Sequence, residues 1–238
     1  MKMKTRRRDL MIASLNSGRL PTGFQEVEWL QGTGTQYCIT DVYPVYDSSN
    51  FTAIRGDFTA LTNQNSRFEI SSQWLQSSNS HKFGVTFTYA QSLPSGSYAP
   101  TLIFRYGKVN QDTATISMNN FVYPLDVHYE LNKTTIVHNG GTSNRYQPST
   151  AYYTATKPFV IGGYYSSASS DNVIPWNIQS QFKSFKIYNN DTLLYEFVPC
   201  YRKSDNKTGF MKLIVADGDA EFFPNLGEDE WIIGTVVN

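Results

Sequence analysis

The stretch from Phe182 to Arg202, FKSFKIYNNDTLLYEFVPCYR, limits what this chain can fold into more than any other. Phe185 and Ile187 alternate with Ser184, Lys186 and Tyr188. Asn189, Asn190 and Asp191 then supply turn chemistry, and Leu193, Tyr195 and Phe197 resume the alternation until Pro199. Residues two apart on a strand share a face, so the pattern predicts a β-hairpin with one buried side. A lone hairpin cannot bury that side, and the rest of the chain must supply a partner sheet.

Further strand-like runs are available for this. Strands are expected over Phe24 to Leu30, Gln36 to Val42, Phe51 to Leu61, Arg67 to Leu75, His81 to Tyr89, Leu102 to Tyr106 and Ala114 to Met118. The clearest alternation sets Phe83, Val85, Phe87 and Tyr89 against Lys82, Gly84, Thr86 and Thr88, so one side of that strand is core. Val127, Tyr129 and Leu131 form another run, and Asn139-Gly140 marks a hairpin because both residues tolerate positive φ. Tyr152 to Ile161 reads as one strand, and Trp231 to Val237 as a last apolar stretch. Short strands separated by turns, with no helical pattern between them, predict an all-β antiparallel sandwich or barrel and exclude parallel α/β architectures.

At 238 residues with no internal linker, the chain reads as a basic N-terminal arm over 1–19 followed by one domain over 20–238. Twenty Lys and Arg balance twenty Asp and Glu, so no global field draws the molecule to nucleic acid or to an anionic membrane. No apolar run is long enough to span a bilayer. The basic residues that do cluster are Lys2, Lys4, Arg6, Arg7 and Arg8. Arg7-Arg8-Asp9-Leu10-Met11 superficially matches a twin-arginine export signal, but the apolar run from Leu10 to Leu15 is too short, and no export signal is expected. Cys38 and Cys200 are too few for a disulfide framework and fit no metal motif; they read as small buried thiols, with one bridge left open if the first and last strands adjoin.

Two ends of the chain carry a resemblance. Leu20-Pro21-Thr22-Gly23-Phe24-Gln25-Glu26-Val27-Glu28-Trp29-Leu30, followed by Gly32-Thr33-Gly34-Thr35-Gln36-Tyr37, resembles the opening motif of a concanavalin A-like, laminin-G-like jelly-roll family found in phages and prophages of gut bacteria. Phe185-Lys186-Ile187-Tyr188, Phe197-Val198-Pro199-Cys200-Tyr201-Arg202-Lys203 and Phe222-Phe223-Pro224-Asn225-Leu226-Gly227 are similar to its closing motifs. The tail from Glu228 to Trp231 departs from that family, where a short Gly/Thr-rich finish is expected. The resemblance implies two curved antiparallel sheets with the first and last strands side by side. It implies no single activity, because the fold hosts lectins, glycan hydrolases and adhesion modules.

Chemistry is sparse. Asp217-Gly218-Asp219-Ala220-Glu221 places carboxylates two apart, as a sandwich glycosidase needs, but Asp-Gly already accounts for them as a type I′ turn. His81, His128 and His138 are isolated, no phosphate loop or nucleophile elbow occurs, and neither cofactor nor metal is expected. The aromatic residues Trp74, Tyr164, Tyr165 and Trp176 lie near loops, where flat rings can stack on sugars; core packing competes for each. In the Tyr164-Tyr165 pair one ring must point outward. The expected function is a non-enzymatic bacteriophage virion protein, capsid- or tail-attached through Arg6, Arg7 and Arg8, present in many copies, with host-surface glycans as its ligand class. The alternatives are a carbohydrate-binding module or adhesin of a gut bacterium and, third, a glycan hydrolase.

Overall fold

The computed structural model describes residues 19–237 except 63–65, 77–78, 93–97, 109–112, 118–121, 140 and 145–151; at 74–76, 79–80, 89–92, 98–99, 108 and 144 the backbone alone is described. The expected arm, with Arg6, Arg7 and Arg8, lies outside the described residues.

Every regular element among the described residues is a β-strand. Two sheets dominate, one of eleven strands and one of eight. The larger runs, edge to edge, through Gly141–Asn144, Thr135–His138, Leu125–Leu131, Thr52–Ala60, Ile178–Asn189, Thr192–Arg202, Thr208–Ile214 and Ala220–Pro224. The smaller runs through Val173–Pro175, Gly163–Tyr165, Phe68–Gln76, Asn79–Ser92, Tyr98–Lys108 and Thr113–Ser117. Pairing is antiparallel throughout, except where Gly163 meets Ile70 in parallel.

The expected hairpin lies inside the larger sheet. Its two strands join through Asn190 and Asp191, with Asn190 at φ 52° and Asn189 opposite Thr192. Phe185 and Phe197 sit opposite each other with rings 4.8 Å apart and 4° from parallel. Asn139 turns the chain at φ 40° between His138 and Gly141, as its Asn-Gly pair predicts.

The two sheets meet through aromatic rings. Phe68 of the smaller sheet stacks on Phe58 at 4.2 Å and on Phe182 at 4.5 Å, both from the larger one. Phe83, Val85, Phe87, Leu102, Phe104 and Tyr106 face Ile54, Val127, Tyr129, Leu131 and Ile187 in one continuous core. The architecture is an antiparallel β-sandwich of jelly-roll type. A smaller cluster on the other side of the larger sheet packs Leu20 against Val198, Cys200 and Met211.

Several expected strands are shorter or broken. Phe24 to Leu30 divides into Phe24–Glu26, paired with Thr192–Arg202, and Leu30–Thr33, paired with Ile178–Asn189. Gly32 and Thr33 are thereby part of a strand, and Gln36 to Val42 keeps strand structure only at Cys38–Ile39. The run from Tyr152 to Ile161 splits into Tyr153–Thr154 and Val160–Ile161, with Lys157 and Pro158 between. Proline cannot donate to a ladder, which accounts for the break. The Asp217-Gly218 turn is also wider than a two-residue type I′ loop: Leu213 pairs with Ala220, and of the intervening residues only Gly218 has positive φ.

The tail from Glu228 is part of the fold. Ile232–Ile233 pairs with Leu30 and Gln31, and Val236 bridges to Val27, so the first and last strands adjoin as the resemblance implies. Cys38 and Cys200 are buried and free rather than bridged. Burial holds both thiols in the protonated form, Cys200 up to about 12, and such thiols are inert.

Candidate functional site

Alternation in the smaller sheet sends Phe68, Ile70, Phe83, Val85 and Phe87 inward, which leaves Glu69, Ser71, Gln73, Lys82, Thr86 and Arg105 on its outer face. Register sets them in rows. Glu69 lies opposite Thr86, Gln73 opposite Lys82, and Gly84 lies between Ser71 and Arg105.

One edge of this face is walled by aromatic rings. The strand Gly163–Tyr165 adds Tyr164, and the chain returns through Val173–Pro175 to bring Trp176 beside it, ring centroids 5.6 Å apart and 79° from parallel. Each ring carries a cation: Lys82 Nζ is 4.4 Å from the centroid of Tyr164, and the Arg67 guanidinium carbon is 4.1 Å from that of Trp176. Such contacts hold amphipathic rings in place, and both rings are only half-buried.

The floor is unusual for a solvent-facing sheet. Glu69 is 2% exposed and Gln73 4%, and Glu69 Oε1, Gln73 Oε1 and Trp176 Nε1 have no hydrogen-bond partner among the described residues. A buried polar atom left unsatisfied costs roughly 1–3 kcal/mol, so each such atom calls for an explanation, a functional role among them. Two acceptors, one indole N–H donor and two rings thus converge on one patch. Burial lowers the pKa of Lys82; the charge of Glu69 opposes that shift and the charge of Arg105 adds to it.

Gly84 shapes the floor. Its φ is +143°, and a Cβ there would stand 2.0 Å from the carbonyl oxygen of Ile70, so only glycine fits. Arg105 donates to Thr86 Oγ1 on the neighbouring strand Asn79–Ser92.

Of the residues expected at a site, Tyr164 and Trp176 come together here. Tyr165 does not: it is 3% exposed and turned to the opposite side, with Lys157 Nζ 5.6 Å from its ring centroid. This removes it from the exposed platform and fits the rule that neighbours on a strand diverge. Trp74 pairs with His81 through the backbone, and its side chain lies outside the described residues. Sequence reading missed Glu69, Gln73, Lys82 and Arg105, whose signal was their place in the polar half of the alternation.

Other features are weaker candidates. An open cleft of about 330 Å³ at one end of the larger sheet is lined by Asp41, Tyr43, Asn50, Asn189, Leu194 and Tyr195, but no orphaned polar atom from these residues points into it. Asp217 and Asp219 are exposed in their turn, while Glu221 pairs with the buried Lys212 at 2.9 Å. No group of three or more His, Cys, Asp or Glu that could hold a metal occurs among the described residues. The chain matches no protein-family model and no curated protein.

Proposed function

We propose that this protein binds saccharides on the outer face of the smaller sheet, without cleaving them, as a jelly-roll module carried in many copies on a bacteriophage particle. The observation that carries the reading is the convergence of Tyr164 and Trp176 with the buried, unpartnered oxygens of Glu69 and Gln73. Sugars present apolar ring faces that stack on aromatic rings and hydroxyls that satisfy such acceptors.

Binding without hydrolysis is supported by the carboxylate inventory. Glycoside hydrolysis ordinarily takes two carboxyl groups flanking the bond. Glu69 is the one Asp or Glu in the strands of this sheet. The phage setting is supported by the opening and closing motifs at the two ends of the chain and by the basic arm, which would anchor the module to other virion proteins.

A glycan array probed with a multivalent display of the protein, run beside an assay of reducing-sugar release, tests the activity. Retention of specific glycans with no product is the expected result; release of product, or retention of none, contradicts it. Immunodetection of the polypeptide in purified particles tests the setting.

A further inference from the structure

The outer face is rich in positive charge. Arg19, Arg55, Lys157, Lys183, Arg202, Lys207 and Lys212 each have a carboxylate oxygen within ion-pair distance. Lys82 and Arg105 have none among the described residues, although both stand on a half-buried face. Glu69 is the acidic group that acts on Lys82, and it offsets one charge where Lys82 and Arg105 bring two.

Register explains why the two cations can receive a ligand. Lys82 lies opposite Gly107 and Arg105 lies opposite Gly84. On the strand pair they share, each basic residue therefore faces a glycine, while on their other sides Gln73 lies opposite Lys82 and Thr113 opposite Arg105. The two cations are diagonal neighbours, whose backbones lie roughly 7–8 Å apart. The two glycines leave a notch in the row of side chains between the cations, with Lys82 Nζ at the Tyr164 ring and Arg105 bonded to Thr86 Oγ1.

We propose that the saccharide recognised here is acidic: a sugar whose ring packs on Tyr164 and Trp176 while its anionic group sits between Lys82 and Arg105. This rests on the saccharide-binding reading of the face and adds the charge of the ligand. The sugar's carboxylate accepts charge-assisted hydrogen bonds from Lys82 Nζ and the Arg105 guanidinium, while the sugar's hydroxyls donate to Glu69 and Gln73. Glu69 also discriminates, because it repels an anionic group placed in the reverse orientation.

The test is calorimetric titration of the full chain with matched probes: sialyllactose against lactose, a galacturonate oligomer against the corresponding galactose oligomer, and inorganic phosphate alone. At least one acidic probe is expected to bind about tenfold or more tighter than its neutral partner, as one charge-assisted contact provides, with the gap narrowing as salt is raised. Lys82→Gln and Arg105→Gln should each shrink that gap, read as the ratio of acidic-sugar to neutral-sugar affinity within each variant; two variants guard against one failing to fold. Equal binding of acidic and neutral sugars, both lost in Trp176→Ala, overturns the acidic ligand and leaves the saccharide reading standing. Phosphate binding as tightly as the acidic sugar reduces the notch to a simple anion site and overturns the proposal. Binding of no saccharide at all overturns both readings.

Discussion

The indole of Trp231 meets the ring of Phe182 edge-on, centroids 5.2 Å apart and 73° from parallel, so the C-terminal tail plugs the core at the hairpin strand. Trp231 also lies 6.2 Å from Phe210, and its backbone N–H donates to Thr208 Oγ1. Glu230 fixes the approach by accepting from the Thr208 N–H at 2.9 Å. Trp231→Ala is expected to cost about 3 kcal/mol or more, the usual penalty for removing a buried aromatic. Equilibrium urea unfolding measures this, and a variant as stable as the parent would show that the tail merely decorates the sandwich.

The stacked pair Phe185–Phe197 carries a second expectation. Either residue changed to Ala should cost about 3 kcal/mol, whereas Lys186→Ala, on the opposite face, should fall within roughly 0.5 kcal/mol of the parent. Similar losses at Phe185 and Lys186 would contradict the register that sets Phe185 against Phe197.

Stability should also respond to pH at His128. Burial alone would lower the pKa of this imidazole, but bonds and charge from Asp57, at 2.9 Å, and Glu130, at 3.4 Å, outweigh burial and raise it. A raised folded pKa means that the stabilisation is full below the unfolded value of about 6.5 and fades as pH rises through the folded value. The ring is 41% exposed, so the effect is screened and small. Comparing melting temperatures at about pH 5.5 and about pH 8.5, the parent should lose more on going to the higher pH than His128→Gln does. Equal losses in both proteins would remove His128 as the cause.

Residues 1–18 carry a prediction about assembly. Leu20 is buried and Arg19 pairs with Glu26 and Glu196 at 3.1 Å each, so both already belong to the packed sandwich. Deleting residues 1–18 should leave the melting temperature within about 2 °C of the parent and abolish incorporation into particles. Loss of folding, or incorporation at the parent level, would contradict the anchoring role given to Arg6, Arg7 and Arg8.

Much of the fold was legible in the sequence because strand alternation is local. The run through Phe83, Val85 and Phe87 and the hairpin around Asn190 declare their buried faces without reference to any neighbour. The site was legible only in part. Tyr164 and Trp176 announce themselves as aromatic residues beside loops, but which of Tyr164 and Tyr165 points outward depends on the partner strand. Glu69, Gln73 and Arg105 become one patch only through register, which joins segments far apart in the chain. The strand break after Glu26 also arises from pairing with distant strands, since Phe24–Glu26 joins Thr192–Arg202 and Leu30–Thr33 joins Ile178–Asn189. Trp231 looked like an ordinary member of an apolar tail; its role as a plug follows from where Thr208 and Phe182 stand.

The measurement that bears most directly on the saccharide-binding face is titration of the best array glycan against the parent, Trp176→Ala and Tyr165→Phe, with melting temperatures recorded for each. Truncating a central aromatic contact should weaken binding at least about tenfold, while Tyr165→Phe, which keeps the buried ring, should bind like the parent. If Trp176→Ala stays folded and binds as tightly as the parent, the outer face of the smaller sheet is not where the sugar sits.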